Sequence, residues 1–146
     1  MTSIHAITAS DHDEWKALWA GYLTFYDAEI ADDVTEHTFG RIVDDAELHG
    51  AIARDEEGRV IGIVHWLTHA ATWSTGSYCY LEDLFVAPDV RGGGAGRALI
   101  AHVKGWAENH GSAKVYWLTQ EGNDTARRLY DRVAVHTGYT HYQIAL

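Results

Sequence analysis

The chain has 146 residues, of which 47% are apolar, and its 21 acidic and 11 basic residues give a formal net charge of −10. This length predicts one domain spanning residues 1–146, because a single core stops growing only beyond roughly 250 residues. The negative charge argues against a nucleic-acid partner and favours a cationic one. The single cysteine, Cys79, excludes a disulfide framework and a multi-cysteine zinc site, so we expect a cytoplasmic protein.

Hydrophobic periodicity predicts the elements in chain order. A short strand precedes two helices, a hairpin and an aromatic strand follow, and a glycine-rich loop introduces the last helix–strand–helix–strand section. The predicted strands cover 3–8, 51–53, 60–68, 77–86, 114–119 and 139–145, and the predicted helices cover 15–26, 35–45, 97–110 and 123–133. This order, β-α-α-β-β-β-α-β-α-β, predicts an α/β domain with a mixed sheet.

Neither a membrane span nor a metal site is expected. The uncharged stretch 60–81 is long enough to cross a bilayer, but its glycines, histidines, serines and threonines are costly in lipid as a set. His65 and His69 are four residues apart in a predicted strand, which separates them by about 13 Å, and no third ligand is apparent. Cys79 is interpreted as a small buried residue, since no base adjoins it.

The segment 91–97 has the sequence RGGGAGR and directly precedes a predicted helix. Its glycines let the backbone approach an anion, which the free N–H groups and the dipole of the helix attract. It is not a P-loop, because no Gly-Lys-Ser/Thr closes it. It is not a dinucleotide fingerprint, because Arg97 or Leu99 occupies the position of the third glycine. The alternative is a flexible turn without a ligand.

Two further features could carry chemistry. Glu82 and Asp83 interrupt an otherwise apolar strand, and strand alternation predicts that they point to opposite faces. An apolar setting raises the pKa of a carboxyl group towards that of a useful base, although one acid could instead cap a backbone group while the other meets solvent. Tyr130 lies at helical spacing from apolar residues, so it is either a core aromatic or a proton donor. Asn123 is a candidate N-cap of the same helix.

Taken together, segments 80–100 and 115–133 resemble the GNAT superfamily of acetyl-CoA-dependent N-acetyltransferases. The pattern Arg-x-x-Gly-x-Gly is present as Arg91, Gly94 and Gly96, and the pattern Asn-x-x-Ala-x-x-Leu-Tyr as Asn123, Ala126, Leu129 and Tyr130. The strand at 80–86 is most similar to those of the spermidine/spermine, thialysine and small histone-type acetyltransferases. The resemblance extends over nearly the whole chain in its order of elements. It implies the GNAT fold, with a mixed, mostly antiparallel sheet flanked by helices.

The same resemblance implies a role for individual residues. Leu84, Phe85 and Val86 would bind the pantetheine arm of acetyl-CoA through their backbones. The pyrophosphate would be held by Arg91, Gly92, Gly93, Gly94, Ala95, Gly96 and Arg97. Asn123 and Ala126 would contact the cofactor, Tyr130 would protonate the departing thiolate, and Glu82 would act as the base. Asp83, Tyr26 and Asp27 would bind the acceptor.

The implied acceptor is a primary amine, such as a polyamine or a lysine-like amine, and the implied assembly is a homodimer. The C-terminus departs from many relatives, because one strand stands where they have a two-stranded hairpin. We therefore expect the strand at 139–145 to pair across the dimer. Two alternatives stay open: acetylation of a protein lysine or N-terminus, and a non-catalytic module that binds acyl-CoA and regulates a partner.

Overall fold

The computed structural model describes residues 2–146 and confirms the predicted order of elements as far as the last helix. None of the described helices is long and apolar enough to cross a membrane. Short 3-10 turns at Ala9–Asp11 and Pro88–Val90 precede the first and third helices. The elements are β1 Ser3–Ala6, α1 His12–Phe25, α2 Asp32–Asp44, β2 His49–Arg54, β3 Val60–Ala70, β4 Ser77–Val86, α3 Ala95–Asn109, β5 Ser112–Tyr116 and α4 Asp124–Val133.

The five strands form one mixed sheet in the order β1-β2-β3-β4-β5. The first three pairings are antiparallel, and β5 runs parallel to β4, which confirms the predicted mixed and mostly antiparallel sheet. The β4–β5 pairing begins at Ser77 and Ser112 and ends at Tyr80 and Tyr116. Because β4 continues to Val86, its second half lies beside β3 but has no β5 residue on its other side.

The helices cover both faces of this sheet with separate apolar clusters. On one face, Trp15 and Trp19 of α1 stack at 5.7 Å and pack with α2 against β2, β3 and Phe85. On the other face, Leu99 and Val103 of α3 are fully buried against β3 and β4. Each such burial stabilises the fold by about 1.5–3 kcal/mol, so the two clusters fix the sheet between its helix layers.

The predicted sixth strand is wrong for this chain taken alone. Residues 134–146 form no regular structure, and five of their apolar side chains are at least 84% exposed: Val135, Tyr139, Tyr142, Ile144 and Leu146. The alternating sequence does provide a strand-like face. A strand also needs a neighbour to pair its backbone N–H and C=O groups, and no described strand pairs with this segment.

Candidate functional site

A β-bulge in β4 determines where the two acidic residues of this strand point. Asp83 lies opposite His65 of β3 and Leu81 lies opposite Trp66, so Glu82 is an extra residue without a partner on β3. A bulge of this kind shifts the alternation of the side chains by one position. Leu81 and Leu84 accordingly pack on the same side, with the α3 cluster.

The bulge therefore corrects the prediction that Glu82 and Asp83 point to opposite faces. Asp83 contacts His65, which packs against α1, and the charges of both Glu82 and Asp83 act on Tyr22 of α1. Both carboxyl groups thus belong to the face covered by α1 and α2. Burial raises the pKa of Glu82 and the neighbouring charge of Asp83 raises it further, although part of the side chain remains exposed.

Asp83 is held by a chain of hydrogen bonds from the helix layer. The Nε1–H of Trp15 donates to His65 Nε2 over 2.9 Å, and His65 Nδ1 lies 2.9 Å from Asp83 Oδ2. Burial, followed by the charge of Asp83, raises the pKa of Tyr22, so this phenol is a neutral donor near the carboxylate. His65 and Trp15 were not predicted as site residues, because only the register between β3 and β4 places them behind Asp83.

The second half of β4 presents backbone groups at the gap left by β5. The N–H of Ala87 donates to the carbonyl of Ile61, which makes this a hydrogen-bonded pair of the antiparallel ladder. Pairs alternate along such a ladder, so Phe85 directs its backbone towards β3, whereas Leu84 and Val86 direct theirs into the gap. Of the three residues predicted to bind the pantetheine arm through their backbones, Phe85 does not face the gap, whereas Leu84 and Val86 do. Phe85 instead contributes a buried ring beneath α1.

The glycine loop leads into α3 with the geometry of an anion site. Gly92 and Gly94 adopt φ values of +88° and +89°, and Gly94 is the N-cap of α3 with no side chain bonded to the helix start. The first N–H groups of the helix are therefore free to meet an anion. Gly96 serves packing against α4, because a Cβ there would lie 3.3 Å from Cδ2 of Leu129, and this side chain would have to shift by a few tenths of an ångström.

Arg91 joins this loop to the end of β4. Its Nε donates to the carbonyl of Val86 over 3.1 Å, and its guanidinium lies 5.5 Å from the ring centres of Phe25 and Phe85. Because Arg91 uses the carbonyl of Val86, the N–H and C=O of Leu84 and the N–H of Val86 remain for a ligand in the gap. Arg97 is exposed in the first turn of α3 and adds positive charge to the same helix end.

Asn123 and Tyr130 lie at opposite ends of α4. The Oδ1 of Asn123 accepts from the N–H of Ala126 over 3.4 Å, which confirms the predicted N-cap. The ring of Tyr130 packs edge-on against Trp117 at 5.4 Å. Burial, and to a smaller degree the adjacent Tyr26, raises the pKa of the Tyr130 phenol to about 12, so it carries its proton at neutral pH.

Tyr26 and Asp27, both predicted to bind the acceptor, are placed differently by the structure. Tyr26 packs against Tyr22 at 5.0 Å, and its pKa is raised by burial and by the charge of Asp83. It therefore lies near both Asp83 and Tyr130. Asp27 is exposed at φ +50°, and no contact among residues 2–146 joins it to the other site residues. The structure thus brings together Tyr26, but not Asp27, with the site.

The other candidate residues have structural partners. His69 contacts the hydroxyl of Tyr116 at 2.8 Å, away from His65, and the described residues contain no cluster of three potential metal ligands. Cys79 is fully buried, and this burial raises the pKa of its thiol to about 11, which confirms the interpretation as a small core residue.

Comparison with known proteins identifies the family to which this fold belongs. Residues 6–134 match the acetyltransferase (GNAT) family. The chain is 36% identical over 142 residues to the D-amino-acid N-acetyltransferase HPA3 of Saccharomyces cerevisiae, covering 96% of this chain and 88% of the yeast protein.

Solved structures at 19–20% identity share the fold. Aminoglycoside acetyltransferase AAC(6')-Iy, in complex with the bisubstrate analogue CoA-S-monomethyl-acetylneamine, superposes with a TM-score of 0.87 over 100% of this chain and 99% of its own. A ribosomal-protein-alanine N-acetyltransferase from Brucella melitensis superposes with a TM-score of 0.84 over the whole of both chains. Because residues 6–134 match the family and the yeast relative is 36% identical, the chain belongs to the GNAT family of acetyltransferases, which are enzymes that use acetyl-CoA.

Proposed function

We propose that this chain transfers the acetyl group of acetyl-CoA directly to a primary amine, with Glu82 as the general base and Tyr130 as the general acid. The observation that carries the proposal is the β4 bulge, which turns Glu82 and Asp83 to one face just beyond the point where β4 and β5 separate. The free N–H and C=O of Leu84 and the free N–H of Val86 continue from there towards the glycine loop. Family membership supports acetyl-CoA as the donor.

The reaction is a single acyl transfer. The acceptor arrives mostly protonated, because the reference pKa of a lysine-like amine is near 10. Glu82 takes this proton, directly or through water, and the amine nitrogen then attacks the thioester carbonyl. The C–S bond breaks as the tetrahedral intermediate collapses, and the phenol of Tyr130 protonates the departing thiolate. The surplus proton on the new amide nitrogen then restores the phenol of Tyr130, and Glu82 releases its own proton to solvent. The products are an N-acetyl amide and free CoA.

The electrostatics of the site support these roles. The raised pKa of Glu82 makes its carboxylate a stronger base than an exposed glutamate, and the raised pKa of Tyr130 keeps the acid protonated at neutral pH. The N–H groups of Leu84 and Val86 are candidates to stabilise the negative charge on the carbonyl oxygen. The N-terminus of α3, with Gly94 as its open N-cap, receives the pyrophosphate.

The acceptor in this proposal is cationic, such as a polyamine or a lysine-like amine. Two carboxylates at the site and a net charge of −10 both attract such a group. The name of the yeast relative adds free D-amino acids as a second candidate class. Their carboxylate needs a nearby cation, for which Arg41 of α2 is the candidate, since its charge already acts on Glu82.

The proposal includes a homodimer formed through residues 134–146. This segment carries its apolar residues into solvent, and β5 is an edge strand of the sheet. A second copy of the chain would cover the apolar side chains and supply the missing backbone partners. In this dimer, residues 139–145 form the predicted strand by pairing with the other subunit.

The experiment that tests the proposed activity is thiol release from acetyl-CoA across an acceptor panel. The panel contains polyamines, lysine analogues, aminoglycosides, D- and L-amino acids and a basic peptide. Turnover of a free amine that is lost in Glu82→Gln, which keeps the shape of the side chain, supports the proposal. Turnover of the peptide alone indicates a protein acetyltransferase. Tight acetyl-CoA binding without any turnover indicates a regulatory binding module.

A further inference from the structure

The hydrogen bonds from Trp15 through His65 to Asp83 fix a protonation state. Trp15 is 0% and His65 4% exposed, so no bulk water competes for these groups. An indole N–H can only donate, and Trp15 Nε1 lies 2.9 Å from His65 Nε2. The Nε2 atom must therefore accept and carry no proton. The single proton of a neutral His65 is then on Nδ1, from which it is donated to Asp83 Oδ2 at 2.9 Å.

This arrangement selects one tautomer of His65. A proton on Nε2 would face the N–H of Trp15 and break a buried hydrogen bond without offering a replacement. The carboxylate of Asp83 favours a proton on Nδ1, so the two neighbours select the same tautomer. As long as Trp15 donates to Nε2, the Nδ1–H of His65 is directed at Asp83 and fixes the orientation of its carboxylate.

We infer that Trp15 and His65 are positioning residues that orient Asp83 for the ammonium group of the acceptor. Without Trp15, nothing holds the proton of His65 on Nδ1, and a ring in the other tautomer presents a lone pair to Asp83, which removes the hydrogen bond that orients this carboxylate. Trp15 thus acts on the acceptor through two successive hydrogen bonds. The role in acceptor binding rests on the proposed function, whereas the tautomer of His65 does not.

The other groups around His65 are consistent with this assignment. Tyr22 and Tyr26 approach from α1, and both have raised pKa values, so they remain neutral. Glu82 on β4 adds a second negative charge, and Arg41 on α2 is engaged with Glu47 at 3.2 Å. Across β2 the facing residue is Gly50, which has no side chain to titrate.

Trp19 provides a matched control. It lies one helical turn from Trp15, is also buried, and its ring centre is 5.5 Å from that of His65. Its Nε1–H donates to the hydroxyl of Thr35 instead, at 3.3 Å. Trp19→Phe therefore removes an indole from the same cluster without freeing His65 Nε2.

The first measurement is the side-chain ¹⁵N spectrum of His65 at pH 8, with the signal assigned by its absence in His65→Asn. We expect the ring proton on Nδ1 in the wild type and in Trp19→Phe, and on Nε2 or divided between the two nitrogens in Trp15→Phe. A wild-type ring that carries its proton on Nε2 overturns the inference. So does an unchanged spectrum in Trp15→Phe. None of these outcomes depends on turnover.

The second measurement is the KM for the amine at the same pH. The KM of Trp15→Phe should rise roughly tenfold relative to the wild type, because Asp83 loses the hydrogen bond that orients it. Values of kcat and of the KM for acetyl-CoA should change little. A KM equal to those of the wild type and Trp19→Phe refutes the positioning role.

A second pair of variants guards against misfolding of Trp15→Phe. The amide of His65→Asn can still donate to Asp83, whereas His65→Leu removes the donor. We expect His65→Asn to retain a lower KM for the amine than His65→Leu. Equal KM values in these two variants contradict the role of His65. If no amine is acetylated at all, the proposed function fails, and the ¹⁵N spectrum still decides the tautomer of His65.

Discussion

Replacing Gly94 by aspartate tests whether the N-terminus of α3 binds the pyrophosphate of acetyl-CoA. Gly94 has φ +89°, and a Cβ added there meets no atom within 4 Å, so the new side chain fits without a clash. The left-handed backbone costs about 1–2 kcal/mol for a residue other than glycine. A carboxylate next to the first turn recovers about 0.3–1 kcal/mol through its attraction to the dipole of the helix. The folded state should therefore lose little stability.

Binding should suffer much more than folding. The carboxylate occupies the N–H groups intended for the phosphates, and two like charges about 4 Å apart repel by about 4 kcal/mol at an effective dielectric constant of 20. Salt screening and side-chain rotation reduce this value, so we expect a loss of about 2–3 kcal/mol. That loss corresponds to acetyl-CoA binding about 30- to 150-fold more weakly.

Isothermal titration calorimetry with acetyl-CoA measures this effect, and two variants separate its causes. Gly94→Ala has the same backbone strain without the charge and should lose less than about fivefold in affinity. Gly58→Asp has the charge and a comparable φ of +83° in an open turn between β2 and β3, so its affinity should be unchanged. A Kd for Gly94→Asp within about threefold of the wild type would refute the assignment of the loop.

The remaining predictions concern catalysis, the buried thiol and assembly. Tyr130→Phe should lower kcat by about 10²-fold or less, because a thiolate leaves fairly well unaided. The Kd for acetyl-CoA should stay unchanged, and a loss of acetyl-CoA binding would show that the role of Tyr130 is structural. Activity should fall as the pH drops through the pKa of Glu82, which is raised above its usual 4.5, because the base must be ionised. If Glu82→Gln shows the same fall in activity at acidic pH, Glu82 is not the base. Cys79→Ala should leave turnover intact. Thiol-directed reagents should inactivate the native enzyme slowly, because burial raises the pKa of Cys79 to about 11. Rapid modification that abolishes turnover would contradict this expectation. Deletion of residues 134–146 should convert a dimer into a monomer in light-scattering measurements, and a monomeric full-length chain would exclude the exchange of this segment.

Local sequence determined most of the fold and part of the site. Helical and strand periodicities are properties of neighbouring residues, so they placed the elements from β1 to α4 within a few positions. The glycines at 92 and 94 were recognisable for the same reason, since a turn into a helix requires their backbone freedom wherever the chain goes. Asn123 followed the same rule, because an N-cap acts only on the residues directly after it.

Pairing between distant segments decided the rest. Alternation within β4 predicted opposite faces for Glu82 and Asp83, and only the register against β3, with its extra residue at Glu82, turned both towards α1. The alternating residues near the C-terminus predicted a strand, but no described strand pairs with them. His65 acquired its role from Trp15, 50 positions earlier, and from Asp83, 18 positions later. Sequence periodicity reports only which face of its own element a residue occupies; tertiary packing determines which distant group meets it there, and therefore which atom carries a proton or a charge.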